Sequence, residues 1–221
     1  MIINTSYFIN ELAIPNIGAN TPIETGNQTR LQRCIDVYER EVLIYGLGRQ
    51  LYEEFINNID QNPISPNYGN LTPGANIIWD RLLLGYTYTI GSTNYYWNGL
   101  RYTIETSINT IYKSLIAYYV YVKYVEQNVS NLTDLGVVAE NAKNADLVSP
   151  SPKIVYAWRE FYNMYGTNEW NYDRLFARPV YELLNVTNTG DVSLFKFLTD
   201  NRSDYPTWRF TQLDNKNSFG I

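Results

Sequence analysis

The chain contains no histidine and a single cysteine, Cys34, among its 221 residues. The missing imidazole excludes Ser-His-Asp and Cys-His catalysis and removes the ligand on which most zinc sites depend. A single cysteine cannot form a disulfide within the chain, and we expect Cys34 to be a small buried group on a helix.

Basic side chains are also scarce. There are 17 Lys and Arg against 22 Asp and Glu, the formal net charge is -5, and no run of basic residues occurs. This composition argues against broad nucleic-acid binding, which requires concentrated positive charge.

No arrangement of residues points to catalysis. Residues 46–49, Gly-Leu-Gly-Arg, lack the Gly-Lys-Ser/Thr ending of a phosphate-binding loop and are interpreted as a break between two helices. The adjacent acids Glu53 and Glu54 point about 100° apart on a helix, so they do not converge on one substrate. We predict a protein that is not an enzyme and that has no cofactor and no metal site.

Long apolar runs are missing as well. Residues 1–8 have no basic region and no long apolar run, so no secretory signal is expected. The most apolar stretch, Leu115 to Val125, is too short to span a bilayer and carries Lys123. We expect a soluble protein that is made in the cytoplasm and has no membrane partner.

Aromatic residues are abundant, with 21 Tyr, 8 Phe and 5 Trp. Tyr and Trp combine a large apolar body with one polar group, which suits surfaces that become buried only on assembly. For any single tyrosine the alternative is that it fills the core. For the set as a whole, we expect a role in interfaces.

Apolar spacings of three and four residues predict helices through most of the chain. The predicted helices cover about residues 28–45, 49–59, 74–84, 103–128, 151–165 and 179–184. Residues 86–102 alternate Tyr and Thr, which predicts a β-hairpin, with a structured loop as the alternative. Residues 133–149 are interpreted as an irregular link with one weak helical segment.

These patterns predict a mainly α fold: a helical bundle around one long central helix, residues 103–128, with a small hairpin or loop insertion. The bundle would cover residues 26–184, and extended arms would cover residues 1–25 and 185–221. The second half of the long helix is apolar on nearly all faces, so we expect it to be covered on all sides, either within this domain or between subunits.

The C-terminal arm has no long periodic segment but carries several large apolar residues. We expect it to dock on a neighbouring subunit, with folding back onto its own domain as the alternative. The predicted interface with other subunits or with a partner protein comprises Tyr118, Tyr119, Tyr121, Tyr124, Phe195, Phe197, Trp208, Phe210, Phe219 and Ile221.

Several ordered tracts resemble a family of phage proteins. The longest covers residues 38–55 and reads YEREVLIYGLGRQLYEEF. The others are WNGL at 97–100, SLIAYYVY at 114–121, LGVV at 135–138 and YAW at 156–158. In this order the tracts are similar to proteins encoded beside portal and capsid genes of tailed phages and prophages of Bacteroidetes, including crAss-like phages. The resemblance covers about residues 30–170.

The resemblance implies a head–tail connector, also called an adaptor or ring protein. Its copies would form a ring, twelvefold in symmetry, that docks beneath the portal protein and contacts the next tail or ring protein. Packaged DNA would pass through the lumen of the negatively charged ring without specific binding, and the protein would be located at the head–tail junction of the virion.

Two alternatives remain open. A tail-completion or tail-capping virion protein would share the same composition, and only the identity of its partner would distinguish it. A soluble module that binds a peptide or glycan through a Tyr-rich surface belongs to a different class. A Tyr-rich groove on a monomer would favour the module, whereas a large flat or wrapping interface would favour the ring.

Overall fold

Helices supply most of the regular structure in the computed structural model. It describes residues 1–14, 17, 22–105, 110–128, 130–133, 136–139, 151–166 and 189–213. The helices in the described part of the chain are α1 (Pro22–Leu47), α2 (Arg49–Ile56), α3 (Ile77–Leu84), α4 (Leu115–Asn128), α5 (Ser151–Tyr165) and α6 (Leu194–Asp200). The fold is therefore mainly α, as predicted.

Short strands between the helices form small sheets. The strands are β1 (Tyr86–Ile90), β2 (Thr93–Trp97), β3 (Tyr102–Glu105), β4 (Thr110–Lys113), β5 (Ser130–Thr133), β6 (Gly136–Ala139) and β7 (Thr189–Asp191). The hairpin predicted within residues 86–102 is present as β1–β2, and β7 adds to β2 in parallel to give the order β1-β2-β7. The pairs β3–β4 and β5–β6 are separate antiparallel hairpins.

The long predicted helix over residues 103–128 is wrong in its first half. Residues 102–113 contribute the β3–β4 pairing instead, and α4 begins only at Leu115. Thr103, Ile104, Thr110 and Ile111 are β-branched, and such side chains favour strands over helices. As a result, α1, with 26 residues, is the longest helix among the described residues. The predicted link over 133–149 likewise contributes to the β5–β6 hairpin, and residues 140–150 lie outside the described part.

The break after α1 occurs where the glycines predicted it. Gly48 adopts φ +79°, a left-handed conformation that side chains rarely tolerate. A Cβ on Gly48 would lie 2.7 Å from the Cβ of Arg209, so the C-terminal segment packs directly against this turn. Glycine is therefore required both by the backbone conformation and by the close approach of a distant segment.

The core is built on α4, with α1 and α5 packed against it. From Leu115 to Val122 every side chain of α4 is buried, so the prediction that the second half of the long helix is covered on all sides is confirmed for these residues; beyond them Lys123 and Val125 are half-buried and Gln127 is exposed. The cover comes from the same chain. Tyr119 packs against Trp158 and Phe161 of α5, with ring centroids 6.0 and 5.1 Å apart.

The described part of the predicted N-terminal arm is not an arm. Its apolar side chains are buried in the same core as the helices, namely Ile2, Ile3, Tyr7, Phe8, Leu12 and Ile14. In addition, α1 begins at Pro22, within the predicted arm. Two short 3₁₀ helices, Thr5–Tyr7 and Asn10–Leu12, shape the segment.

A buried carboxylate fixes this N-terminal segment. Glu39 on α1 is 6% exposed and accepts hydrogen bonds from the amides of Ile2 (2.8 Å) and Ile3 (3.0 Å). Arg101 donates from Nε to the Ile2 carbonyl (2.6 Å) and from a terminal nitrogen to the Gly69 carbonyl (2.6 Å). Burial raises the pKa of the Glu39 carboxyl, and the two amides, the terminal ammonium and Arg101 oppose that rise.

The predicted C-terminal arm also folds back onto its own domain. Its described residues form β7 and α6 and then run along the end of α1. The amide of Arg209 donates to the Leu47 carbonyl (3.0 Å), and the amide of Thr211 donates to the Tyr45 carbonyl (2.8 Å). The boundaries predicted at residues 25 and 185 therefore do not separate arms from a bundle in the described part of the chain.

Candidate functional site

Most of the predicted interface residues lie inside the chain. Six of the ten are buried in its own core: Tyr118, Tyr119, Tyr121, Tyr124, Phe197 and Trp208. Phe195 and Phe210 are partly buried and pack against that core, and their ring centroids are 4.8 Å apart. Phe219 and Ile221 lie outside the described residues. The prediction that these rings form a subunit surface is wrong for the six buried residues, because they already fill the core of one chain.

The tyrosine hydroxyls on α4 are bound within the chain. Tyr118 donates to Glu11, and Tyr119 donates to Glu41. Burial raises the pKa of both phenols, and the hydrogen bond and negative charge of each carboxylate raise it further. The hydroxyl groups that made these residues candidates for an interface therefore already have hydrogen-bond partners within the chain.

Two further tyrosines tie the C-terminal segment to the helices. Tyr165 donates to the Thr211 carbonyl (2.6 Å), and Tyr205 donates to the Ile78 carbonyl (2.6 Å). Both side chains are fully buried, and burial raises the pKa of each phenol. These contacts are structural.

A small cavity of about 190 Å³, with a mostly apolar lining, lies where β2, β3, β4, α4, α5 and β7 approach one another. Its polar lining includes Asn98, Lys113 and Asp191, and Trp97 and Tyr102 supply aromatic surface. Lys113 also forms an ion pair with Glu160 at 3.6 Å. The cavity therefore contains one carboxylate and one ammonium group rather than a pair of carboxylates.

The electrostatics of the cavity centre on Asp191. Burial raises the pKa of the Asp191 carboxyl, and a hydrogen bond from Asn98 and the charge of Lys113 oppose that rise. The Oδ1 atom of Asn98 is buried and has no hydrogen-bond partner among the described residues. Ser114, the hydroxyl in the lining, donates to the Leu100 carbonyl (2.7 Å). The lining can bind a small polar molecule or water, but it does not place a nucleophile beside a general base.

Within the described ranges, no group of three or more His, Cys, Asp or Glu side chains is close enough to hold a metal ion. Cys34 is a buried free thiol, and burial raises its pKa, as expected for an inert packing group. None of the helices for which the structure gives coordinates is long and apolar enough to cross a bilayer.

The outer edge of β1 is a different kind of candidate. β1 pairs with β2 on one side, and no described strand pairs with its other side. Its sequence, Tyr-Thr-Tyr-Thr-Ile, contains no charge and no proline, and its five residues pair in an unbroken register. Thr87, Thr89 and Ile90 are exposed. The edge therefore carries no charge, proline or bulge, three of the devices by which proteins prevent strand addition.

The comparisons with known proteins identify a family but not an activity. Residues 46–157, just over half of the chain, match the model of a family of unknown function, DUF6712. The chain belongs to this family. The match covers α2, α3, α4 and the hairpins from β1 to β6. No curated protein and no solved structure matches the chain.

Sequence reasoning missed both features described here. Asn98, Lys113 and Asp191 are far apart in the chain, so no local sequence pattern predicts the cavity that they line. The β1 edge did carry a signal, since its alternating Tyr and Thr residues are free of charge and proline. That signal shows that a strand forms but not which side of the strand stays unpaired.

Proposed function

We propose that this DUF6712 protein is a virion structural subunit, a head–tail connector (adaptor) that docks beneath the portal and joins capsid to tail. Its copies form a ring, twelvefold as in the family that the sequence resembles, and DNA passes through the lumen without specific binding. In this proposal α4 is the central helix of the subunit, and the protein has no catalytic role. The ordered sequence tracts between residues 38 and 158 support the proposal.

The structural observation that carries the proposal is the outer edge of β1, with which no described strand pairs. A ring is built from a head-to-tail contact, in which one patch on each subunit binds a different patch on the next. A strand edge can supply one of these patches, because its backbone amides and carbonyls can hydrogen-bond to an extended segment of the neighbouring subunit. Ile90, 47% exposed at the end of β1, adds an apolar contact beside the edge.

Electron microscopy of the purified protein tests the proposal directly, both alone and after co-expression with the portal protein encoded beside it. We expect rings in at least one of the two preparations. The proposal is wrong if the protein remains monomeric in both, as measured by analytical ultracentrifugation at the same concentrations.

A charge placed on the edge tests the role of β1. In the double variant Thr87→Lys/Thr89→Lys, positive charges should block strand addition while the hairpin remains folded. Asn94→Lys is the matched control, because Asn94 is exposed and pairs with Thr89 but lies on β2, inside the sheet. We expect rings from the control and monomers from the double variant, with the same circular dichroism. Rings from the double variant would show that the ring contact lies elsewhere.

The tail-completion or tail-capping alternative predicts the same subunit chemistry. It differs in the partner, since the complex would then contain tail proteins and no portal. Co-expression with the portal therefore separates the two: a stable complex with the portal supports the connector, and exclusive binding to a tail protein supports the alternative.

A further inference from the structure

Three arginines lie on the outer face of α1. Arg30, Arg33 and Arg40 are exposed, whereas Leu31 and Val42, on the opposite side of the helix, are buried. At 3.6 residues per turn, intervals of three and seven residues place the arginines in one row about 15 Å long. We call Arg30, Arg33, Arg40 and the enclosed Val37 the arginine stripe.

The stripe stands out because, apart from Lys153, the other cations in the described part of the chain have partners. Among the described residues, ion pairs join Arg49 to Glu53, Arg81 to Asp204, Lys113 to Glu160 and Lys196 to Asp200. Lys123, Arg159 and Arg202 lie over aromatic rings, and Arg101 and Arg209 donate to backbone carbonyls. In this part of the chain, only the three stripe arginines and Lys153 have no ion pair, hydrogen bond or ring as a partner.

The centre of the stripe is apolar. Val37 lies between Arg33 and Arg40 and is 57% exposed. Asp36, an exposed carboxylate one helical turn from both Arg33 and Arg40, accepts a hydrogen bond from Gln32 (3.2 Å) and forms no ion pair with the stripe. An exposed apolar residue flanked by arginines is the composition of a protein–protein contact, in which arginine is enriched.

We propose that the arginine stripe of α1 binds an acidic segment of a different protein. The partner would present a row of carboxylates about 15 Å long, because guanidinium groups bind carboxylates through paired, directional hydrogen bonds. This inference does not depend on the β1 contact or on ring formation, and either can hold without the other.

The apolar centre of the stripe favours a peptide over a nucleic acid as the occupant. A peptide can cover Val37 with an apolar side chain, whereas a phosphate backbone offers no such group. A second copy fits less well for a different reason. The exposed carboxylates in the described part of the chain, Glu11, Asp36 and Glu53, lie on three different helices, and Glu53 is already paired with Arg49.

The experiment uses the full chain and a labelled synthetic helical peptide whose glutamates repeat every three and four residues along one face. Fluorescence anisotropy compares it with the same peptide in which glutamine replaces glutamate. We expect binding of the glutamate peptide alone, weakening as salt is added. Arg33→Glu/Arg40→Glu should weaken binding by about fivefold or more, because two attractions become repulsions. Lys153→Glu, a reversal at the remaining exposed cation without a partner, should change it less than about twofold.

Several outcomes would overturn the inference. Equal binding of the two peptides, or equal loss in the stripe variant and the Lys153 control, would show that the arginines form only a solvated face. Stripe-dependent binding of a short duplex DNA, tighter than that of the peptide, would make the occupant a nucleic acid. Self-association that the stripe variant abolishes in ultracentrifugation would make it a second copy. Circular dichroism establishes that each variant is folded.

Discussion

Glu39 is the residue on which the N-terminal segment depends. Its carboxylate accepts hydrogen bonds from the amides of Ile2 and Ile3, and Glu39→Ala would leave these buried donors without that partner. We expect the free energy of unfolding to fall by about 2–3 kcal/mol, measured by urea denaturation. Glu53→Ala, at an exposed carboxylate paired with Arg49, should change it by less than about 1 kcal/mol. Equal effects of the two changes would contradict the role given to Glu39.

The buried tyrosines predict how stability depends on pH. Burial raises the pKa of Tyr118, Tyr119, Tyr165 and Tyr205 in the folded state above the ordinary value of about 10. A phenol whose folded pKa is raised stabilises the fold fully below its unfolded pKa, and that stability is lost as pH rises beyond it. We expect the free energy of unfolding to fall steeply above about pH 10.

Two measurements check this pH dependence. Urea denaturation across the alkaline range gives the free energy, and ultraviolet absorbance of tyrosinate gives the ionisation. The buried class should ionise only as the chain unfolds, and Tyr165→Phe should make the alkaline decline shallower. Ionisation of every tyrosine in the folded chain would show that these hydroxyls are not held in the interior.

Residue type alone did not reveal where these rings lie. The abundance of Tyr and Trp fits both a core and an interface, because both bury large rings and satisfy one polar atom. Whether a tyrosine lies in the core or at an interface depends on where the acceptor of its hydroxyl lies. For Tyr118 and Tyr165 the acceptors are Glu11 and the Thr211 carbonyl, which are far from the tyrosines in sequence. The cavity residues were unpredictable for the same reason.

Among the elements, those whose limits are set by local signals were predicted well. The helix over 151–165 and the hairpin within 86–102 match α5 and β1–β2, and the break after α1 falls at Gly48. The helix over 103–128 failed because its apolar spacing fits a helix while its β-branched residues favour strands. In the structure the strand preference prevails up to Lys113, and the helix begins beyond Ser114.

Ser114 marks this change from strand to helix. Its Oγ accepts a hydrogen bond from the Ile116 amide (3.1 Å) and donates to the Leu100 carbonyl (2.7 Å). Ser114→Ala should lower the free energy of unfolding by about 1–2 kcal/mol, because a helix-capping acceptor and a buried donor are both lost. Ser203→Ala, at an exposed serine, is the control and should stay within about 0.5 kcal/mol of the wild type. If Ser114→Ala lowers the free energy of unfolding no more than Ser203→Ala does, the Ser114 side chain does not stabilise the start of α4.

At the scale of the whole molecule, the described residues of both predicted arms belong to one hydrophobic core. The N-terminal segment is bound by Glu39, and residues 205–211 lie along the end of α1. The sequence signals for an arm, namely turn residues and missing periodicity, describe the local chain correctly. They do not say whether its apolar side chains pack on the same molecule or on a neighbour. In the structure these side chains pack on the same molecule, through contacts such as the hydrogen bond from Trp208 to the Gly46 carbonyl.

The C-terminal segment gives the sharpest test of this view. Trp208 is buried and donates from Nε1 to the Gly46 carbonyl (2.7 Å), and Tyr205 is buried against α3. Trp208→Ala should lower the free energy of unfolding by about 3–5 kcal/mol, since it opens a large cavity in the core. Arg209→Ala, which keeps the Cβ packed on Gly48 and removes an exposed guanidinium with its hydrogen bond to the Trp208 carbonyl, should cost far less. Deleting residues 205–221 should therefore remove most of the helical circular dichroism at room temperature. A truncated chain that keeps its helical signal and its urea midpoint would show that this segment is an appendage, free after all to dock on a neighbouring subunit.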